Sequence, residues 1–258
     1  MRYLYLFLLA TLAVACDSSD TTTESTTDTT EESMEADDPA GTLQATNAAV
    51  ESNGGDLTAL PIDAAQSNID TWMEQLEDVD GADKVTGNLE SLSEALGESP
   101  VNGQLAGMIL VSLAEDTRQV AGSTPGISTL VSALQAGGEK LTSTAFQGES
   151  LLDKTLQAAK GKAADITTLP VSAATENIDG WLAELRGMDG ADEIVSDLES
   201  LKQALSAPEI DGEDVSDLLF SLADATRSIG DDNPGLQTLA YLLEAGGWRL
   251  EGMSEDSK

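Results

Sequence analysis

Residues 68–72, Asn68-Ile69-Asp70-Thr71-Trp72, return later in the chain as Asn177-Ile178-Asp179-Gly180-Trp181, an offset of 109 (177 − 68). The offset holds without a gap on both sides of this stretch. Downstream, Asp80-Gly81-Ala82-Asp83 recurs as Asp189-Gly190-Ala191-Asp192, and Leu89-Glu90-Ser91-Leu92 as Leu198-Glu199-Ser200-Leu201. Thr117-Arg118 recurs as Thr226-Arg227, Pro125-Gly126 as Pro234-Gly235, and Ala136-Gly137-Gly138 as Ala245-Gly246-Gly247. Upstream, Thr46 aligns with Thr155 and Asp56 with Asp165. Two units, 43–151 and 152–258, account for everything after residue 42.

Within each unit the apolar residues fall at helical spacing. Ala65, Ile69, Trp72 and Leu76 form the first stripe, matched by Ala174, Ile178, Trp181 and Leu185. Val85, Leu89, Leu92 and Leu96 form the second. Ala106, Ile109, Leu113, Thr117 and Val120 form the third, and Ile127, Leu130, Leu134 and Leu141 the fourth. Each has its partner 109 residues on. The stops and starts between them suggest caps: Asp63 with Gln66 or Ser172 for the first helix, and Asp80 or Asp83 for the second. Asn102 and Asp211 suit the third, and Thr124-Pro125 and Asn233-Pro234 the fourth. Shorter helices are expected at 43–52 and 147–164. No stretch alternates with a period of two. The predicted fold is all-α: two tandem copies of an antiparallel four-to-five-helix bundle. Whether the copies form separate domains or one fused bundle is open at this level.

Charge and composition narrow the chemistry. The chain has 258 residues, with 47 acidic against 12 Lys and Arg, for a net charge of −35. Such a surface repels nucleic acid and anionic lipid head groups, so no nucleic acid partner is expected. There is no His and a single Cys. That removes Ser-His-Asp and Cys-His nucleophiles, His-ligated zinc, and the Glu-x-x-His di-iron pattern of helical bundles. Carboxylate pairs are abundant, but no pair stands out.

The single Cys lies at the end of the leader. Arg2 precedes an apolar run, residues 3–15, which is too short to span a bilayer as a helix and reads as a signal peptide. It ends in Ala13-Val14-Ala15-Cys16. In these residues the chain resembles a bacterial lipoprotein precursor, although Ala13 stands where Leu is preferred and Leu12 lies one place earlier. The resemblance covers the first 16 residues. It implies a diacylglyceryl group on the Cys16 thiol, cleavage before Cys16, and acylation of the new amine. Several acyl chains, at about 0.8 kcal/mol per buried CH₂, give anchoring that one chain does not. The expected location is the bacterial cell envelope, on the periplasmic or extracellular side, with the membrane as a partner through the lipid.

Residues 17–42 are almost wholly Asp, Glu, Ser and Thr, with no Lys or Arg. Such a segment buries too little apolar surface to offset its ordering entropy. With Cys16 it is read as a disordered, extended tether.

Four side chains in the repeats are candidate contacts for a ligand or partner. Trp72 and Trp181 lie on the apolar stripe of the first helix, where they either fill the core or line a groove. Asn68 and Asn177 precede them by one turn. Arg118 and Arg227 lie near the end of the third helix, where they either complement the helix dipole and pair with a carboxylate or bind an anion in a cleft. The run Asp78 to Asp83 fails the EF-hand pattern and reads as a turn leading to a helix cap. Gly137-Gly138 and Gly246-Gly247 either end the fourth helix or allow a close crossing. Lys154, Lys160 and Lys162 give the linking helix a basic side suited to an acidic face. No catalytic residue, metal ligand or cofactor site is assigned.

These observations point to an envelope lipoprotein with a non-enzymatic binding or scaffold role toward an envelope protein. The alternative is a carrier or sensor for a divalent cation or small ligand.

Overall fold

The computed structural model describes residues 39–255 apart from 122–123, 144, 189 and 231–232, with side chains through Glu251. The leader, Cys16 and the acidic stretch to residue 38 lie outside the described residues. Among the described residues there are ten α-helices, two 3-10 turns and no strand. The first set is α1 (Pro39–Ser52), α2 (Ile62–Leu76), α3 (Asp83–Gly97), α4 (Gly103–Ala121) and α5 (Ile127–Leu141). The second is α6 (Leu151–Lys160), α7 (Val171–Leu185), α8 (Asp192–Leu205), α9 (Gly212–Ile229) and α10 (Pro234–Glu255). A 3-10 turn follows the first helix of each set, at Leu57–Ala59 and Ile166–Thr168. Asp56 and Asp165 cap these turns, each accepting from the backbone N–H two residues on. No described helix is long and apolar enough to cross a membrane.

The helix stripes match the spacing of the apolar residues, but several boundaries differ. α1 starts at Pro39, not residue 43, and buries Thr42 and Leu43. The last residues assigned to the tether therefore belong to the folded body. α2 and α7 start directly after Pro61 and Pro170, which are extended, with ψ 141° and 136°. Neither Asp63 nor Ser172 caps its helix. The proline sets the entry, and Asp63 instead lies in the first turn, where its charge meets the helix dipole. Neither Asp80 nor Asp83 caps α3, whose entry residue is Ala82. Asn102 and Asp211 do cap α4 and α9, accepting from the Leu105 N–H and from the Glu213 and Asp214 N–H groups. Asn233 accepts from the Gly235 and Leu236 N–H groups, and α10 starts at Pro234. Its counterpart α5 starts two residues later than expected, because Gly126 turns left-handed at φ 86° and leaves Pro125 in the turn.

The linking helix is shorter than predicted, and Ser150 caps it through the Asp153 N–H. Lys160 does not meet an acidic face. Its ammonium donates to the Thr142 carbonyl at 2.7 Å, just beyond the end of α5.

The paired glycines do not end their helices. They bring α4 against α5 and α9 against α10. A Cβ on Gly138 would lie 2.6 Å from the Gly107 carbonyl oxygen, and one on Gly247 would lie 2.8 Å from the Phe220 ring.

The core crosses the boundary between the repeats. One cluster is local to the second copy: Ile178, Leu182, Ile194, Leu198, Leu201, Val215, Leu219 and Leu222. The other contains the first copy's seams and also Leu156 of α6 and Leu239, Tyr241 and Leu242 of α10. Leu242 is fully buried, and burying a side chain of that size stabilises by about 1.5–3 kcal/mol. α10 packs on α9 within its own copy and on α4 of the first. The described residues fall within a single compact unit.

Candidate functional site

Each copy builds the same polar node beside its tryptophan. In the first, the Trp72 indole N–H donates to the Thr46 hydroxyl at 3.0 Å and the Asn68 amide donates to it at 2.9 Å. The hydroxyl donates in turn to the Thr42 carbonyl at 2.8 Å. In the second, Trp181 and Asn177 donate to Thr155 at 3.1 and 2.9 Å, and Thr155 donates to the Leu151 carbonyl at 2.8 Å. A hydroxyl has one proton and two lone pairs, and here all three are used. Both indoles are half-buried against the apolar core. The node ties α1 to α2 and α6 to α7. Thr46 and Thr155 are its centre, a role the aligned threonines did not reveal by spacing alone.

Arg118 and Arg227 are exposed. Arg118 pairs with Glu115 one turn earlier. Arg227 pairs with Asp224 at 3.1 Å and Glu244 at 2.5 Å, bridging α9 and α10. Exposed pairs of this kind contribute about 0–1 kcal/mol each. The structure does not bring the two arginines and the two tryptophans into one cleft.

The turn after α2 returns the chain through Val79 and Ala82, whose N–H groups bond the carbonyls of Leu76 and Val79. Among the described residues, no three His, Cys, Asp or Glu side chains are grouped to hold a metal ion.

The strongest concentration of buried polar chemistry lies where α10 meets α3 and α4. Arg249 is 6% exposed and Asp116 3%. The Arg249 guanidinium donates through Nη2 to Ser112 Oγ at 2.5 Å and to Asp116 Oδ2 at 3.1 Å. Asn88 donates to the same Asp116 oxygen at 2.7 Å. The Tyr241 hydroxyl donates to Asn88 Oδ1 at 2.6 Å. Arg249 Nε lies 3.7 Å from Asp165, the cap of the second 3-10 turn. One guanidinium nitrogen, Nη1, is buried with no hydrogen-bond partner. Burial pushes the Tyr241 phenol up to about 12.

The cluster joins the two copies, and the equivalent positions build no second one. Arg249 corresponds to Lys140, and Asp165 to Asp56. Lys140 and Asp56 also meet, at 2.5 Å, but on the surface. The Lys140 ammonium, hydrogen-bonded to Asp56, holds that carboxyl below the usual range. Asn88 and Ser112 correspond to Asp197 and Ser221, which bond each other at 2.7 Å in the open. Asp116 and Tyr241 have no like partner, since Ala225 and Ser132 stand there. Asn88, Asp116, Tyr241 and Arg249 thus differ from their counterparts, whereas Ser112 and Asp165 do not.

Two open grooves lie elsewhere. One, of about 390 Å³ between α7 and α8, is lined by Asp179, Arg186, Glu199 and Lys202. Its charges are already paired, Lys202 with Asp179 at 2.5 Å and Arg186 with Glu199 at 2.8 Å. The other, of about 250 Å³ between α9 and α10, is lined by Phe220, Ala223, Asp224, Glu244 and Trp248. No protein-family model, curated protein or solved structure matches the chain.

Proposed function

We propose that this chain is a lipoprotein of the bacterial cell envelope, anchored through acylated Cys16, whose helical body serves as a binding or scaffold module and not as a catalyst. The observation that carries the non-catalytic reading is how the buried ionisable groups are used. Asp116, Arg249 and Tyr241 bond one another or shared neighbours across the seam, where they hold two repeats together. A general acid or base must exchange a proton near the working pH. A phenol pushed to about 12 is poorly suited to that, and Asp116 and Arg249 are turned toward each other and away from any cleft. The anchor is supported by the short apolar leader ending in small residues before the only cysteine, and by the acidic stretch that follows.

The anchor is tested by expressing the full-length protein and its Cys16→Ser variant in a bacterial host. The wild type is expected in the membrane fraction, with radiolabelled fatty acid incorporated. The variant is expected unlabelled and released from the membrane. Equal labelling or equal partitioning of the two forms defeats the assignment.

A further inference from the structure

The α9–α10 groove is the one place where the second copy exposes aromatic surface that the first copy lacks. Trp248 is 58% exposed, although an indole is among the largest side chains available for burial. Phe220 meets it edge to face, with ring centroids 5.0 Å apart and planes at 68°. Gly247 makes room for this arrangement, since a Cβ there would lie 2.8 Å from the Phe220 ring. The equivalent positions in the first copy are Val111 and Glu139. The same helix pair thus carries a short aliphatic and a carboxylate in one copy, and two rings in the other.

The rings do not stand alone. Asp224 and Glu244 line the groove beside them, and Ala223 is its buried apolar element. Arg227 bridges the two carboxylates, so the three together carry one net negative charge. An exposed Trp face attracts cations through its ring quadrupole, and more strongly than Tyr or Phe. The volume, about 250 Å³, is below the roughly 300–1,000 Å³ usual for small-molecule pockets. It suits one long side chain. A lysine matches both parts: its methylene stem covers the rings and its ammonium reaches the carboxylates. The net charge of −35 favours approach of a basic partner, and the groove gives that approach a place to end.

We propose that the Phe220–Trp248 groove binds a lysine side chain presented by a basic polypeptide partner. This rests on the reading of the body as a binding module and does not depend on the lipid anchor. The test uses the full-length protein in non-ionic detergent, with ¹⁵N in its tryptophan indoles. It is titrated at about 0.15 M salt, where long-range attraction between exposed charges is screened. The probe is a peptide of alternating Lys and Gly, compared with the same peptide acetylated on every lysine. The indole signal missing from Trp248→Ala identifies that residue.

The expected result is a saturable shift of the Trp248 signal, with Trp72 and Trp181 unmoved because their N–H groups are held by threonines. Acetylation and Glu244→Gln, read from the Trp248 signal, and Trp248→Ala, read from the fluorescence anisotropy of the dye-labelled peptide, should each weaken binding by about 2- to 5-fold, the scale of one exposed cation–π contact or ion pair. Trp248 is largely exposed, so the alanine variant should melt near the wild-type temperature. Equal shifts from both peptides, or unchanged affinity in Trp248→Ala, overturn the proposal. If the wild type captures envelope proteins while the lysine peptide leaves its Trp248 signal unmoved, the groove is refuted and the wider binding role stands.

Discussion

Arg249 in α10 and Asp116 in α4 are 133 positions apart and meet at 3.1 Å, both almost fully buried. Their pairing joins the end of the second repeat to the middle of the first. Attraction in the interior must offset the desolvation of two charges, and it does so only where further hydrogen bonds complete the set. Ser112 and Asn88 supply such bonds, and in this set Arg249 Nη1 alone is left without one.

Removing one member should therefore cost more than removing both. Asp116→Leu or Arg249→Met alone leaves a buried charge without its partner, at about 3–5 kcal/mol. The double substitution Asp116→Leu with Arg249→Met should cost clearly less than the sum of the single substitutions. Urea unfolding of the four proteins of this cycle gives the coupling directly. Strict additivity would mean the two groups do not interact.

Tyr241 links the same cluster to alkaline pH. In the unfolded chain a tyrosine ionises near 10.0, whereas burial holds this phenol neutral to about 12. The unfolded state loses its proton first. Stability from the neutral phenol is therefore full below pH 10 and falls between pH 10 and 12, by about 3 kcal/mol over that range. Tyr241→Phe should lower stability at neutral pH by about 1–3 kcal/mol, because Asn88 loses its donor. It should also flatten the alkaline decline. Melting curves from pH 7 to about 12 separate these two effects.

The helices were legible because apolar spacing is local and the 109-residue offset reads it twice. The caps at Asn102, Asp211 and Asn233 were legible for the same reason. Asp63 and Ser172 misled because Pro61 and Pro170 already fix the chain's entry, and a capping side chain has nothing left to set. The seam was not legible. No periodicity links Arg249 to Asp116, and residue type alone does not separate a buried charge from a surface one in so acidic a chain. A signal was nevertheless present. Asn88, Asp116, Tyr241 and Arg249 all differ from their partners one repeat away, as Asp197, Ala225, Ser132 and Lys140 show. Four departures from the repeat thus fall together on the surface where its copies meet.

Two glycines should respond in opposite directions to the same substitution. Gly87, within α3, has no atom within 4 Å of a built Cβ. Gly87→Ala should stabilise by about 0.5–1 kcal/mol through helix propensity. At Gly138 the added carbon would lie 2.6 Å from both the Gly107 carbonyl oxygen and Val111. Gly138→Ala should destabilise by about 1–3 kcal/mol as α4 and α5 are forced apart. Denaturant midpoints at equal m-values provide the measurement.

The threonine nodes predict a matched pair of losses. Thr46→Val and Thr155→Val keep the shape but strip the acceptor from an indole and an amide. Each should cost about 1–3 kcal/mol, since two donors lose their partner at once. The indole ¹⁵N–¹H signal of Trp72 should move in the first variant and that of Trp181 in the second, each without the other.

Because α10 supplies the lid over α3 and α4, the order of synthesis matters. The first repeat is synthesised before α10, so it leaves the ribosome with Asn88 and Asp116 unpaired across the seam. Translation must reach codon 249 before the opening half can close. A stop codon ahead of α10 thus harms the first repeat as well as the second, because the side chains that bond Asn88 and Asp116 are never made.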